Sequence, residues 1–173
     1  PIDPLNLGVS SPSKRKPPQD VIPKNIEDAS KPQYELKTSV SLKCDHEKAF
    51  NFFSSPLNLG LTTPSWLNFK ITDMPLSVSK DCEIAYEIRL WFFPIKWRTK
   101  ILEWNPHESF IDMQKEGPYR LWVHSHFVES TSRNTSLMTD IVRYSVPGGF
   151  LGRLAHYLFI KKSLTRIFGY RRN

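Results

Sequence analysis

The stretch LWVHSHFVES, residues 121–130, places Trp122, His124 and His126 at alternate positions. Alternation reads as a β-strand, whose side chains repeat every two residues, so all three leave the same face. Two histidines so placed can ligate a metal, act as acid and base, or form polar points in a pocket wall. A second alternating run, LMTDIVRY (137–144), puts Met138, Asp140, Val142 and Tyr144 on one face. If STSRN is the turn between the runs, residues whose numbers sum to about 264 face each other. His126 then faces Met138, His124 faces Asp140 and Trp122 faces Val142, and cross-strand partners share a sheet face. Asp140 could be a third metal ligand, or it could hold His124 as the proton partner of an acid–base pair. Arg98 and Arg120 are candidate contacts for an anionic head group, and Tyr86 and Tyr144 are candidate hydroxyl donors. There is no serine-centred nucleophile motif and no phosphate-binding glycine loop.

The elements that carry these residues can be read in order. Residues 1–32 hold seven of the 14 prolines and the basic cluster SKRK. Proline blocks both strand ladders and helix interiors, so this segment is expected to be a flexible tail or linker, followed by one domain over 33–173. QYELKTSVSLKC alternates and predicts a first strand. Asp45 then caps a short helix over about 46–54, and SPLNLGLTTPSW predicts a second short helix or turn. Six further strands are expected at about 66–73, 82–92, 95–104, 108–116, 119–129 and 135–146. FFP, NPHE, EGP and STSRN supply turn residues between the later ones. On these strands Leu67, Phe69 and Ile71 form one apolar face, and Ile84, Tyr86, Ile88 and Leu90 another. Phe110, Asp112 and Gln114 share a face whose direction the alternation leaves open. The last segment, from Gly149, repeats apolar residues at spacings of three and four and predicts one long amphipathic helix of about five turns. Leu154 and Leu158 are its expected cavity-facing residues.

Alternate turns of a meander lie at one end of its sheet. Phe92, Phe93, Ile95 and Phe150 would therefore gather at a cavity mouth or a membrane-docking lip. The net charge of +7 favours anionic partners such as lipid head groups, and the basic side of the last helix adds to that attraction. No helix-turn-helix, zinc-finger or RNA-binding pattern appears, so nucleic acid is not the expected partner. Two cysteines outside any C-x-x-C pair fit a reduced, cytoplasmic setting, peripheral to a membrane if the lip is used. No apolar run is long enough to span a bilayer.

Four stretches carry a family resemblance: NFFSSPLNLGLTTPSWLNFKI, KWRTKILEWNPHESFIDMQKEGPYRLWVHSHF, LMTDIVRY and PGGFLGRLAHYLFIKKSLTRIFGYR. Together they resemble the SRPBCC superfamily of START-type lipid-transfer domains, birch-pollen-type allergens and polyketide cyclases, and within it a bacterial branch of ligand-binding proteins. The resemblance implies an α+β helix-grip fold: a curved antiparallel sheet of about seven strands wrapped around a long C-terminal helix, with two short helices after strand 1. It also implies an internal cavity for a hydrophobic or amphipathic small molecule such as a lipid, isoprenoid or polyketide-like compound. Binding or carriage is the leading expectation. The expected lining is Phe69, Tyr86, Ile88, Leu90, Trp122, His124, His126, Met138, Asp140, Val142, Tyr144, Leu154 and Leu158. The alternatives are a cyclase or dehydratase using His124 and Asp140, and an accessory domain for an epimerase-like partner. No cofactor and no metal is expected, since the resembled family is not metal-dependent and no further histidine clusters beside the pair.

Overall fold

A computed structural model describes residues 32–90 and 93–170. The proline-rich segment, apart from Pro32, lies outside the described residues, as does Phe92. Seven antiparallel strands form one sheet in the order β1-β7-β6-β5-β4-β3-β2, so all neighbours are sequential except β1, which closes against β7. The strands are β1 Tyr34–Leu42, β2 Lys70–Asp73, β3 Glu83–Leu90, β4 Phe93–Asn105, β5 Ser109–Glu116, β6 Leu121–Ser132 and β7 Thr135–Ser145. This is the helix-grip arrangement: the sheet curves around a helix over 149–170, called α3 here.

Local rules explain the elements. In β1 every even residue is half-buried and every odd one exposed, as its alternation requires. Helix α1, His46–Ser54, starts where the Asp45 side chain accepts from Lys48 N–H at 2.9 Å. It buries Ala49 and Phe50 against Phe110, Val128 and Met138. Burial of Phe50 alone is worth about 1.5–3 kcal/mol. Helix α2 is a single turn, Leu59–Thr62.

The strand expected over 66–73 is shorter. Ser65–Leu67 forms a 3₁₀ turn that ends at Asn68 in the left-handed conformation, and the strand begins only at Lys70. Leu67 is therefore a buried loop residue and not part of a sheet face. FFP is not wholly a break between strands. Phe93 and Pro94 already belong to β4, opposite Leu90 and Arg89.

The β6–β7 register differs from the expected one by two residues. Trp122 faces Tyr144, His124 faces Val142 and His126 faces Asp140. The turn is shorter than STSRN: Ser132 pairs with Thr135, and a bulge lies between Ser130 and Ser132. The bulge decides the chemistry. Continued without it, the tight turn would pair even residues with odd ones and send the histidines and Asp140 to opposite faces. One extra residue in β6 restores even-to-even pairing.

Helix α3 runs through Gly149–Ala155, a π-helical turn at His156–Ile160, and Lys161–Tyr170. Its single expected apolar stripe is two stripes. From Leu158 to Leu164 is six residues, about 600° of helix, so the two point in different directions. The sheet takes the second stripe: His156, Leu164 and Phe168 are buried and Ile160 is half-buried. Leu154 and Leu158 are 46% and 50% exposed, which removes them from the expected lining. No helix among the described residues is long and apolar enough to cross a membrane.

Candidate functional site

The concave face of the sheet is set by parity along each strand. Ile84, Tyr86 and Ile88 on β3 pair with Thr99, Trp97 and Ile95 on β4. Ile101 pairs with Asp112 on β5, and Asp112 with His124 on β6. A cavity of about 180 Å³ lies between this face, the second half of α3 and the short helices. Its walls are mostly aromatic and aliphatic: Phe69, Tyr86, Ile88, Trp97, Tyr119, Trp122, Leu164 and Phe168 among others. One corner is polar, made of Asp112, His124 and His126, with Thr99 beside it.

That corner belongs to a buried four-residue cluster. His124 Nε2 meets Asp140 Oδ1 at 3.0 Å, and His126 Nε2 meets Asp112 Oδ2 at 3.1 Å. His124 Nδ1 lies 3.9 Å from the same Asp112 oxygen, and His126 Nδ1 lies 2.9 Å from Asp140 Oδ1. The second approach is close but out of line, and His126 Nδ1 makes no hydrogen bond among the described residues. Thr99 Oγ1 donates to Asp112 Oδ1 at 2.8 Å. The Phe110 ring stacks on His126 at 4.0 Å, and the two imidazoles lie 3.7 Å apart.

The electrostatics separate the two histidines. Burial, with His126 as a charged neighbour, pushes His124 down to about 4. Burial also opposes the charge on His126, but Asp112 and Asp140 outweigh it and the net shift is upward. For Asp112, burial works against the carboxylate, while His126, His124 and Thr99 hold it below the usual range. Burial pushes the Tyr119 hydroxyl above the usual phenol range, with Tyr144 adding to it. Trp97 Nε1 is a buried donor with no acceptor among the described residues.

Of the residues expected to line the cavity, Phe69, Tyr86, Ile88, Trp122, His124 and His126 do so. Met138, Asp140, Val142 and Tyr144 are buried but lie outside the lining. Met138 packs under α1, and Tyr144 bonds His156 of α3 at 2.9 Å. Leu90 is 40% exposed and outside the lining, because β3 runs out to solvent there. Arg98 sits at an even position of β4, on the convex face, among Asp73, Glu83 and Glu116 at 3.6–4.0 Å. Arg120 is an exposed turn residue. Phe93 and Phe150 are 73% and 71% exposed, Ile95 is half-buried, and none of the three lines the cavity.

Sequence reasoning missed Thr99, Trp97 and Tyr119, and it left Asp112 without a role. The signal for Asp112 was present in the F-x-D-x-Q spacing. Phe110 stacks on His126, Asp112 bonds it, and Gln114 clamps the β5–β6 hairpin through Tyr119 O and Tyr119 N–H at 2.7 and 3.3 Å. A second hollow, about 670 Å³ and lined by Leu42, Cys44, Lys48, Phe52 and Tyr170 among others, is larger. It contains no histidine or carboxylate, so the chemistry points to the smaller cavity.

No protein-family model matches the sequence, and no curated sequence matches it significantly. Solved structures do match in fold. A protein of Thermus thermophilus aligns with a TM-score of 0.64 at 9% identity, over 79% of this chain and 91% of its own. The Zhui aromatase/cyclase of a Streptomyces strain aligns with a TM-score of 0.60 at 7% identity, over 80% and 91%. Norcoclaurine synthase from Thalictrum flavum, solved with dopamine and hydroxybenzaldehyde, aligns with a TM-score of 0.59 at 11% identity, over 80% and 84%. What these structures share with this chain is the helix-grip fold. None of these three speaks to a membrane or to an epimerase-like partner.

Proposed function

We propose that this helix-grip domain binds a small amphipathic molecule in the cavity, with a ring against the aromatic walls and an oxygen toward the polar corner. The observation that carries this reading is the cavity itself, mostly apolar, with its ionisable groups gathered in the one corner where Asp112, His124 and His126 meet. Its size narrows the ligand. About 180 Å³ is close to an engineered cavity that admits benzene and below the roughly 300–1,000 Å³ of drug-sized sites. A single ring with a few substituents fits, whereas a whole lipid or a polycyclic polyketide would have to protrude. The unpaired Trp97 Nε1–H supports an acceptor atom on the ligand, since buried donors are ordinarily satisfied. Titration with substituted phenols and hydroxybenzaldehydes tests this. Saturable binding is expected, weakened about tenfold by Trp97→Phe and abolished by the cavity-filling Ile101→Trp. Absence of saturable binding across single-ring compounds overturns it.

A second reading is acid–base chemistry of the cyclase or dehydratase kind. It is favoured by the His126–Asp112 hydrogen bond on the cavity wall, rather than by the His124–Asp140 pair, whose carboxylate lies outside the lining. Turnover lost in His126→Gln with ring binding retained would establish it; loss of both would favour binding alone.

The partner surface we propose is an anionic bilayer. The first half of α3 exposes Phe150, Leu151, Tyr157 and Phe159 at 62–79%, beside Arg153, Lys161 and Lys162. Apolar side chains ringed by basic ones suit insertion among anionic head groups. Co-sedimentation with phosphatidylserine vesicles but not with phosphatidylcholine vesicles is expected, and it should fall in Phe150→Ser/Tyr157→Ser. Equal partitioning to both vesicle types would sink the charge argument.

A further inference from the structure

We propose that His124, His126 and Asp112 form a binding site for one divalent first-row transition ion, open on its free side to the cavity. One ligand atom from each of the three residues lies within 4.8 Å of the others, and His124 Nδ1 and His126 Nε2 both approach Asp112 Oδ2. Two of the spacings are 3.1 and 3.9 Å. Four-coordinate ions with bonds of about 2.0–2.2 Å separate their ligands by roughly 3.4 Å. Shifts of a few tenths of an ångström would bring both spacings to that value.

Convergence alone would be ordinary in a hydrogen-bonded cluster. The bracing behind it is less so. Each converging group has its other polar atom placed against a residue outside the triad. His124 Nε2 bonds Asp140 Oδ1 at 3.0 Å, and His126 Nδ1 lies 2.9 Å from that same oxygen. Thr99 Oγ1 donates to Asp112 Oδ1 at 2.8 Å, leaving Oδ2 for the triad. A carboxylate bonded behind one imidazole, that of His124, and a hydroxyl bonded behind the carboxylate are outer contacts of the kind that fix metal ligands. Asp140 is thus the orienting residue rather than a ligand. The triad lines the cavity while Asp140 does not, so the fourth position faces the pocket. Two imidazoles and one carboxylate with an open position suit zinc or iron(II). The His126–Asp112 hydrogen bond spans the place the ion would take, and binding would displace its proton.

The site goes beyond the ring-binding proposal and does not depend on it. Full-length protein stripped with chelator is titrated with Zn²⁺ by calorimetry and with Co²⁺ by visible absorption. One equivalent per chain is expected, with a Co²⁺ spectrum of low coordination number. Asp112→Asn and His124→Ala should weaken binding at least 100-fold. Thr99→Val, which keeps the side-chain shape and touches no ion, should weaken it roughly 10- to 100-fold. Circular dichroism checks folding of each variant, and if His124→Ala or Asp112→Asn fails to fold, Thr99→Val decides. No binding, or binding unchanged in these variants, overturns the site. Ring binding is measured separately in chelator-treated protein, so failure of either proposal is seen without the other.

Discussion

At the scale of single residues, the cluster is held by few bonds in a dry setting, so each should matter. Asp140 is 3% exposed and accepts from His124 Nε2. His124→Leu removes that donor without opening a large cavity. Losing that buried, charge-assisted hydrogen bond is expected to cost about 2 kcal/mol, measured as a shift in the urea midpoint with the slope unchanged. An unchanged midpoint would show that the imidazole contributes nothing to the fold. Gln114 is the second case. It spans the β5–β6 turn with two bonds to the Tyr119 backbone, so Gln114→Ala should cost about 1–2 kcal/mol. That loss should be accompanied by faster amide exchange in the hairpin that carries Asp112.

At the scale of elements, α3 is fixed to the sheet at its π-helical turn. His156 stacks on Tyr34 with ring centres 3.5 Å apart and bonds Tyr144 Oη. Burial, with Lys161 adding to it, lowers the His156 pKa from the usual 6.5. The unfolded chain takes up this proton first. The contribution of neutral His156 is therefore full above about pH 6.5 and is lost as pH falls through and below that value. His156→Gln should flatten the stability profile between pH 7 and 5 relative to the parent, followed by urea unfolding at each pH. A parallel profile would assign the slope to other groups. The helix entry makes a sharper demand. A Cβ at Gly152 would sit 1.8 Å from the Pro147 carbonyl oxygen, a backbone atom with no room to yield. Gly152→Ala should therefore cost about 1–3 kcal/mol, read from thermal unfolding, although alanine is the better helix former.

At the scale of the whole molecule, the topology gathers features that lie far apart in the chain. Strands β3, β5 and β7 run the same way, so the turns after them share one end of the sheet. Phe93 and Phe150, which follow two of these turns, are both exposed. The charge of +7 makes the vesicle binding proposed above salt-sensitive: it should weaken as ionic strength rises from about 0.01 to 0.15 M. Salt-independent binding would mean that the apolar stripe acts alone.

The sequence by itself determined the order of elements, the single curved sheet and the shared face of Trp122, His124 and His126, because alternation and turn residues are local. Whether Asp140 shared that face was settled elsewhere. The bulge before Ser132 sets the parity between β6 and β7, and a two-residue slip kept it while changing every pairing. Only the tertiary structure brought Asp112 and Thr99 to the histidines, since their contacts cross strand boundaries that alternation does not see. It alone chose which of two apolar stripes on α3 the sheet would cover. A separation of six residues from Leu158 to Leu164 turns the helix too far for both to face inward. The cavity's volume and its ionisable corner follow from that choice, because the side chains that close it come from four strands, the short helices and one helix face.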